Sequence, residues 1–256
     1  MDNQVEDASV GLAHTHNANY QSTKPRPAFF EINQTLDVPK YLDESYWWAY
    51  LHPKGVSFFD KPAIVNGILF GNYHRLRDTV VNSIQQRPGN VLQLAAVYGN
   101  ISPKIAEAVQ PTHNLDVVDV APIQLQNLSH KVTGMNNVYL HHQDAGDLDM
   151  NGETYDYVVL FFLLHEVPDE LKGKILAQAF RHLKPGGKLI IVDYHKPVAH
   201  SPMRYLMYPI LSQLEPYALS MWKNEVQKWF PSGYDITSMN KQTFFGGLYQ
   251  HIEVTL

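Results

Sequence analysis

The feature that most constrains this chain lies between Val91 and Val192, where short apolar runs alternate with amphipathic segments. Strands are predicted over Val91–Ala96, Leu115–Val118, Val138–His141, Tyr155–Leu163 and Lys188–Val192, with helices over Pro103–Val109, Pro122–His130 and Asp169–Leu183. A strand, a helix and a second strand close by a right-handed crossover, so the alternation predicts an α/β fold with a parallel sheet. Pro185-Gly186-Gly187 reads as the stop of the last helix and the entry to the fifth strand. Two β-rich pieces flank Gly246-Gly247 within Lys241–Leu256 and predict a terminal hairpin, which would add an antiparallel edge to the sheet.

Around this block the texture differs. Residues 1–27 are polar, lack periodicity and end in Lys24-Pro25-Arg26-Pro27, the signature of a disordered arm. Residues 28–90 read as a helical lid with breaks at Pro53 and Pro62, in front of an α/β domain over residues 91–256. A helical insertion is expected over residues 201–233, after the fifth strand.

Composition excludes several function classes. The formal charge is −5, from 20 basic and 25 acidic residues, and no Lys/Arg run suggests a nucleic-acid partner. The absence of cysteine removes disulfides, thiolate metal sites and cysteine nucleophiles. Met1–Ser22 lacks the basic patch and apolar run of a secretory signal, and no apolar stretch approaches the ~20 residues of a membrane span. A cytoplasmic protein is expected, with transient contact at the inner membrane face. Met203–Trp222, rich in large apolar side chains, is the candidate contact unless it closes a pocket.

In an open α/β sheet, ligands lie beyond the carboxyl ends of the strands, near the switch in strand order. The first strand runs into Ala96-Val97-Tyr98-Gly99-Asn100. Asp119 ends the second, about twenty residues after Gly99, the spacing at which a carboxylate accepts from ribose hydroxyls. Asp144-Ala145-Gly146-Asp147 follows the third; Asp144 is read as an acceptor for an adenine amino group and Asp147 as a turn cap. The fourth and fifth strands end in His165-Glu166 and Asp193-Tyr194-His195. Converging there, these groups would suit a divalent ion such as Mg²⁺ or Mn²⁺, or general acid/base work; the plainer alternative is a hydrogen-bonded wall. Aromatic residues such as Tyr46, Trp48, Tyr205 and Phe244 flank the cleft in sequence order and suggest a flat apolar substrate, with core packing as the alternative.

From Val91 onward the chain resembles the ubiquinone and menaquinone biosynthesis C-methyltransferases, across Leu115-Asp116-Val117-Val118-Asp119, Leu183-Lys184-Pro185-Gly186-Gly187-Lys188-Leu189 and Val192-Asp193-Tyr194-His195-Lys196-Pro197. It resembles the rhodoquinone-biosynthesis (RquA) family more specifically, on Tyr41-Leu42-Asp43-Glu44-Ser45-Tyr46-Trp47-Trp48-Ala49-Tyr50, Val97-Tyr98-Gly99, Asp119-Val120-Ala121-Pro122-Ile123-Gln124-Leu125, Phe161-Phe162-Leu163-Leu164-His165-Glu166 and Thr243-Phe244-Phe245-Gly246-Gly247-Leu248-Tyr249. The resemblance implies a class I, Rossmann-like S-adenosylmethionine (SAM) methyltransferase fold with a seven-stranded, mostly parallel sheet. It also implies an enzyme that converts ubiquinone to rhodoquinone by exchanging a ring methoxy for an amino group, with SAM supplying the nitrogen and Mn²⁺ assisting. Rhodoquinone then serves anaerobic respiration. On this reading Gln93, Ala95, Val97, Gly99, Asp119, Val120, Asp144 and Ala145 bind the cofactor. Tyr98, His165, Glu166 and His195 are the catalytic candidates, and Glu166, His165, Asp193 and His195 the metal ligands.

The first loop departs from the usual methyltransferase pattern of acid-x-Gly-x-Gly-x-Gly. Gln93 stands at the acid position, Ala95 and Val97 replace two glycines, and Gly99 survives. Removing the carboxylate lowers the pKa of the cofactor amine and frees it as a nucleophile. In the expected mechanism a metal polarises a quinone carbonyl, the amine adds to the ring, and methoxide leaves with help from Tyr98 or His195. Two other readings are open: a conventional quinone C- or O-methyltransferase, and a noncatalytic SAM-binding partner.

Overall fold

The computed structural model describes residues 30–256, so the arm expected over residues 1–27 lies outside the described residues. Four helices lead the described chain: α1 (Lys40–Tyr50), α2 (Pro53–Phe59), α3 (Pro62–Ile68) and α4 (Tyr73–Gln86). Pro53 and Pro62 each stand in the first turn of a new helix, where the missing N–H is not needed. Tyr73, Leu76, Val80 and Ile84 of α4 are buried in the core that also holds Ile101 and Ile105.

Then the alternation begins: β1 (Val91–Leu94), α5 (Ile101–Val109), β2 (Leu115–Asp119), α6 (Pro122–Lys131), β3 (Val138–His142), β4 (Tyr155–Phe161), α7 (Asp169–Arg181) and β5 (Leu183–Tyr194). Helices α8 (Pro202–Leu214) and α9 (Ala218–Lys223) form the insertion, and β6 (Ser238–Phe244) with β7 (Tyr249–Thr255) forms the hairpin. The seven strands lie in the order β3-β2-β1-β4-β5-β7-β6. Strands β1 to β5 pair parallel, whereas β7 runs antiparallel to both β5 and β6. Successive residues of a strand face opposite sides of the sheet, so Val159, Ile190 and Val192 join one core and Val158, Leu189 and Ile191 the other. With both faces covered, the central strands β1 and β4 are buried along most of their length rather than alternating between core and solvent.

Two strands end earlier than expected, each on a backbone reversal. β1 stops at Leu94 because Ala95 takes φ 77°, and β4 stops at Phe161 because Phe162 takes φ 56°. Pro185-Gly186-Gly187 is not a helix stop: α7 ends at Arg181, and the triplet lies inside β5. It forms a bulge there, where pairing jumps from Tyr155–Leu183 to Tyr157–Lys188 and Gly186 takes φ 76°. Among the described residues no helix is long and apolar enough to cross a membrane.

Candidate active site

Strand order reverses between β1 and β4, and a cleft opens there above their carboxyl ends. Ala95 and Val97 line it from β1, Asp119 and Val120 from β2, and Asp144 and Ala145 from the turn after β3, while Tyr41 and Tyr50 of α1 cover it. Ala95 occupies a left-handed conformation that favours glycine, so the turn keeps a glycine-loop shape with a side chain added. Asp119 fastens this turn to β2. Its Oδ2 accepts from the Ala96 N–H at 2.7 Å, and its Oδ1 from the Ala121 N–H at 2.7 Å. Burial pushes Asp119 up to about 6 against the pull of those donors, so it is an anion at neutral pH with lone pairs left for hydroxyl donors. Asp144 both lines the cleft and caps its turn, accepting from the Gly146 N–H at 2.7 Å. Asp147 is exposed and outside the cleft lining.

Gln93 and Gly99 stand behind the cleft rather than on its wall. Gln93 is fully buried; its Nε2 donates to the Ala95 carbonyl at 2.8 Å, and its Oε1 has no hydrogen-bond partner. Gly99 takes φ 85°, and a Cβ there would fall 2.2 Å from the Tyr73 hydroxyl. Its N–H donates to Asp60 Oδ1, and its carbonyl accepts from Lys131 Nζ. Gly99 is thus a glycine because of Tyr73 on α4.

A second cavity, of about 310 Å³, lies on the far side of Tyr50 and Glu166, which line both spaces. Its walls are mostly aromatic and aliphatic, among them Phe59, Tyr98, Phe161, Phe162 and Leu211. Tyr50 and Tyr98 stack 5.3 Å apart with their planes within 6°. Gln124 Nε2 locks the pair by donating to the Tyr50 carbonyl at 2.9 Å and the Tyr98 hydroxyl at 3.0 Å. The Tyr98 hydroxyl donates in turn to the Ala49 carbonyl at 2.5 Å, which ties the β1 turn to α1. The Tyr50 hydroxyl donates to Glu166 Oε1.

One corner of this cavity holds titratable groups in apolar surroundings. His165 Nδ1 lies 2.9 Å from Asp193 Oδ1, and its Nε2 lies 3.7 Å from Glu166 Oε1. Glu215, at the C-cap of α8, closes the corner beside Tyr46. Burial would lower His165, but Asp193, Glu166 and Glu215 together prevail and push it up to about 9. Burial pushes Glu166 up to about 8, against the pull of His165, and it raises Glu215 as well. His165 and Glu166, whose proton affinities are both raised, are equipped to exchange protons near neutral pH.

The expected four-residue metal set does not assemble. Asp193 Oδ2 accepts from the Leu164 and His165 N–H groups and its Oδ1 from the Tyr194 N–H, so its lone pairs hold the β4 loop. His195 turns to the hairpin, with Nδ1 2.9 Å from the Gly247 carbonyl and Nε2 3.7 Å from Glu225. It is absent from the cavity lining, and so is no candidate acid there. Among the described residues no group of three or more His, Asp or Glu side chains is arranged to hold an ion.

Sequence reasoning placed Tyr50 among the cleft-flanking aromatics and Gln124 in a family motif without giving either a role, and it missed Glu215. The one available signal was that Glu215 is the only acid between Met203 and Trp222. The motifs that hold Tyr50 and Gln124 did not reveal their roles, because those arise from contacts between distant elements.

The ubiE/COQ5 methyltransferase family matches residues 57–234. A demethylmenaquinone methyltransferase of Listeria monocytogenes (serotype 4a) is 29% identical over 171 residues, 62% of this chain and 71% of its own length. One from Staphylococcus aureus (strain JH9) is 30% identical over 135 residues, 52% of this chain and 55% of its own length. The fold is similar to that of the N-methyltransferase NodS of Bradyrhizobium japonicum in complex with S-adenosyl-L-homocysteine, with a TM-score of 0.54, 10% identity, and coverage of 85% of this chain and 98% of that one. An O-methyltransferase family protein of Burkholderia thailandensis gives a TM-score of 0.57 at 15% identity, covering 80% of this chain and 61% of that one. The sheet is that of a class I SAM methyltransferase, and the match across most of its length shows that the chain belongs to the ubiE/COQ5 methyltransferase family.

Proposed function

We propose that this SAM-dependent enzyme acts on a quinone ring, and that its reaction exchanges a methoxy group of ubiquinone for an amino group, giving the rhodoquinone of anaerobic respiration. The observation that carries this reading is Gln93. At the position where a carboxylate would hold the cofactor ammonium, a neutral amide lies buried behind the cleft wall. With no carboxylate there, an amine in the cleft is held as a cation less strongly and more readily keeps the lone pair it needs to add to the ring.

The cleft residues fit the cofactor: Asp119 and Val120 suit its ribose, and Asp144 and Ala145 its adenine. Bound SAM would supply the amino nitrogen: the ring–N bond forms as the ring–methoxy bond breaks, and the Cα–N bond would then break once a base takes the Cα proton, two electrons pass into the quinone ring and water takes the vacated carbon as a keto acid. Tyr50 and Tyr98 offer flat walls to a quinone, and the apolar cavity excludes water. The Glu166 carboxyl, which borders both spaces, gives the proton that departing methoxide needs, and His165 Nε2 restores it. The proton lost by the amine on bond formation returns to the same pair, so methanol leaves without net charge building up. The Mn²⁺ implied by the resemblance does not fit the four residues expected to hold it, since Asp193 and His195 are engaged elsewhere.

A conventional quinone methyl transfer is the second reading. Family membership and relatives named demethylmenaquinone methyltransferases favour it. Mass spectrometry of the product formed from SAM with ubiquinone, or with a demethylated quinone, separates the two: methoxy replaced by amino supports the first, and a methyl gain supports the second.

A further inference from the structure

Helix α8 is poorly covered by the rest of the chain. Of its residues only Met207 and Leu211 are buried. Tyr205 is 71% exposed, Tyr208 56%, Leu214 53% and Leu206 51%, so one helix shows a nearly continuous apolar surface to solvent. Beside it runs a groove in which Lys196, Arg204 and Lys223 meet Tyr205, Tyr208 and Trp222. No carboxylate lines this groove, and none of the three cations forms an ion pair among the described residues.

We propose that the outer face of α8 and this cationic groove together form a docking surface for an anionic phospholipid bilayer. Charge complementarity selects the occupant. The whole chain carries −5, so attraction to an anionic surface must be local, and three cations in a groove that no acid lines supply it. Phosphates take the Lys and Arg ends, while the tyrosine rings settle at headgroup level and Leu206 and Leu214 enter the acyl boundary. Position agrees with chemistry. Ile210 and Leu214 also line the aromatic cavity, as do Ile68 and Phe70, which are 47% and 39% exposed. The bilayer face therefore borders the mouth of the cavity, and on the quinone reading a lipid-soluble ring passes directly from membrane to site.

The test is co-sedimentation of the full chain with phosphatidylcholine vesicles, with and without about one third phosphatidylglycerol, independent of any turnover. Binding is expected on the anionic vesicles, falling as salt is raised towards about 1 M. Lys196→Gln, Arg204→Gln and Lys223→Gln should each weaken it about five-fold. Leu206→Ser should weaken it about ten-fold or more. Calorimetry with S-adenosyl-L-homocysteine should give wild-type affinity for all four variants, since none lines the cofactor cleft. Equal binding to neutral and anionic vesicles, or anionic binding untouched by these substitutions, would overturn the proposal. So would a concentration-dependent dimer dispersed by Leu206→Ser in a protein that ignores vesicles, because a second copy would then own this face.

Discussion

The β1 turn and the ends of β4 and β5 face each other across Tyr50 and Glu166, and they treat charge in opposite ways. At the turn the chain keeps the backbone shape of a SAM site but gives up the anion: Ala95 holds a glycine conformation, and Gln93 is neutral. At the strand ends it does the reverse, gathering His165, Glu166, Glu215 and Asp193 among aromatic rings. On the amino-transfer proposal, a turn without its acid would place the cofactor while leaving its amine reactive. On the same proposal, the buried acid/base cluster would supply the protons that such an amine and its leaving group exchange.

The contrast breaks most visibly at Glu166. Glu166→Gln should lower turnover by about 10²–10⁴-fold while S-adenosyl-L-homocysteine affinity, read by calorimetry, stays near wild type. Unchanged turnover would remove the cluster from the chemistry. Restoring the acid with Gln93→Asp should slow amino transfer by about 10–100-fold, as the anion holds the amine protonated. A variant as fast as wild type would refute the role given to the amide.

Asp119→Asn should weaken SAM binding by about ten-fold or more, through lost hydrogen bonds to a charged acceptor. In the wild type the same affinity should decline as pH falls below about 6, where Asp119 takes up a proton, and the Asn variant should not follow that profile. A wild-type affinity that stays flat to pH 5 contradicts the assignment.

The pH dependence of stability sharpens the other side. His165 rises from its ordinary 6.5 to about 9, so its contribution is fully present below 6.5 and is lost as pH climbs through 9. Glu166 is also raised, and a carboxyl that the fold prefers neutral loses stability in the same direction as pH rises. The melting temperature should therefore fall between about pH 4.5 and 9, and His165→Gln should flatten the part of that slope above 6.5. The smallest effect is expected at Ala95. Ala95→Gly relieves a left-handed alanine but loosens the unfolded chain, for a net gain of less than about 1 kcal/mol by denaturant unfolding.

The sheet was legible because β periodicity and helical periodicity differ, and all five parallel strands stand where that alternation put them. Asp119 and Asp144 were legible for a related reason: the rule for ligand position in such sheets needs only the strand ends, and both reach the cleft. Gly99 was legible as a required glycine, but its cause, the Tyr73 ring, sits on a helix whose packing no spacing reveals. His195 misled because strand-end counting ignores the hairpin, and the bond from the His195 N–H to the Leu248 carbonyl carries that residue away from the cleft. Tyr50 meets Glu166 across 116 positions of sequence, and no local pattern encodes that meeting.

The central claim is that nitrogen, not methyl, leaves the cofactor. Incubating the protein with ubiquinone and SAM carrying heavy nitrogen at its amino group tests it most directly. The account predicts a quinone that has lost a methoxy and gained the label. A methylated quinone without label would contradict it, and would assign the β1 turn to ordinary methyl transfer despite Gln93.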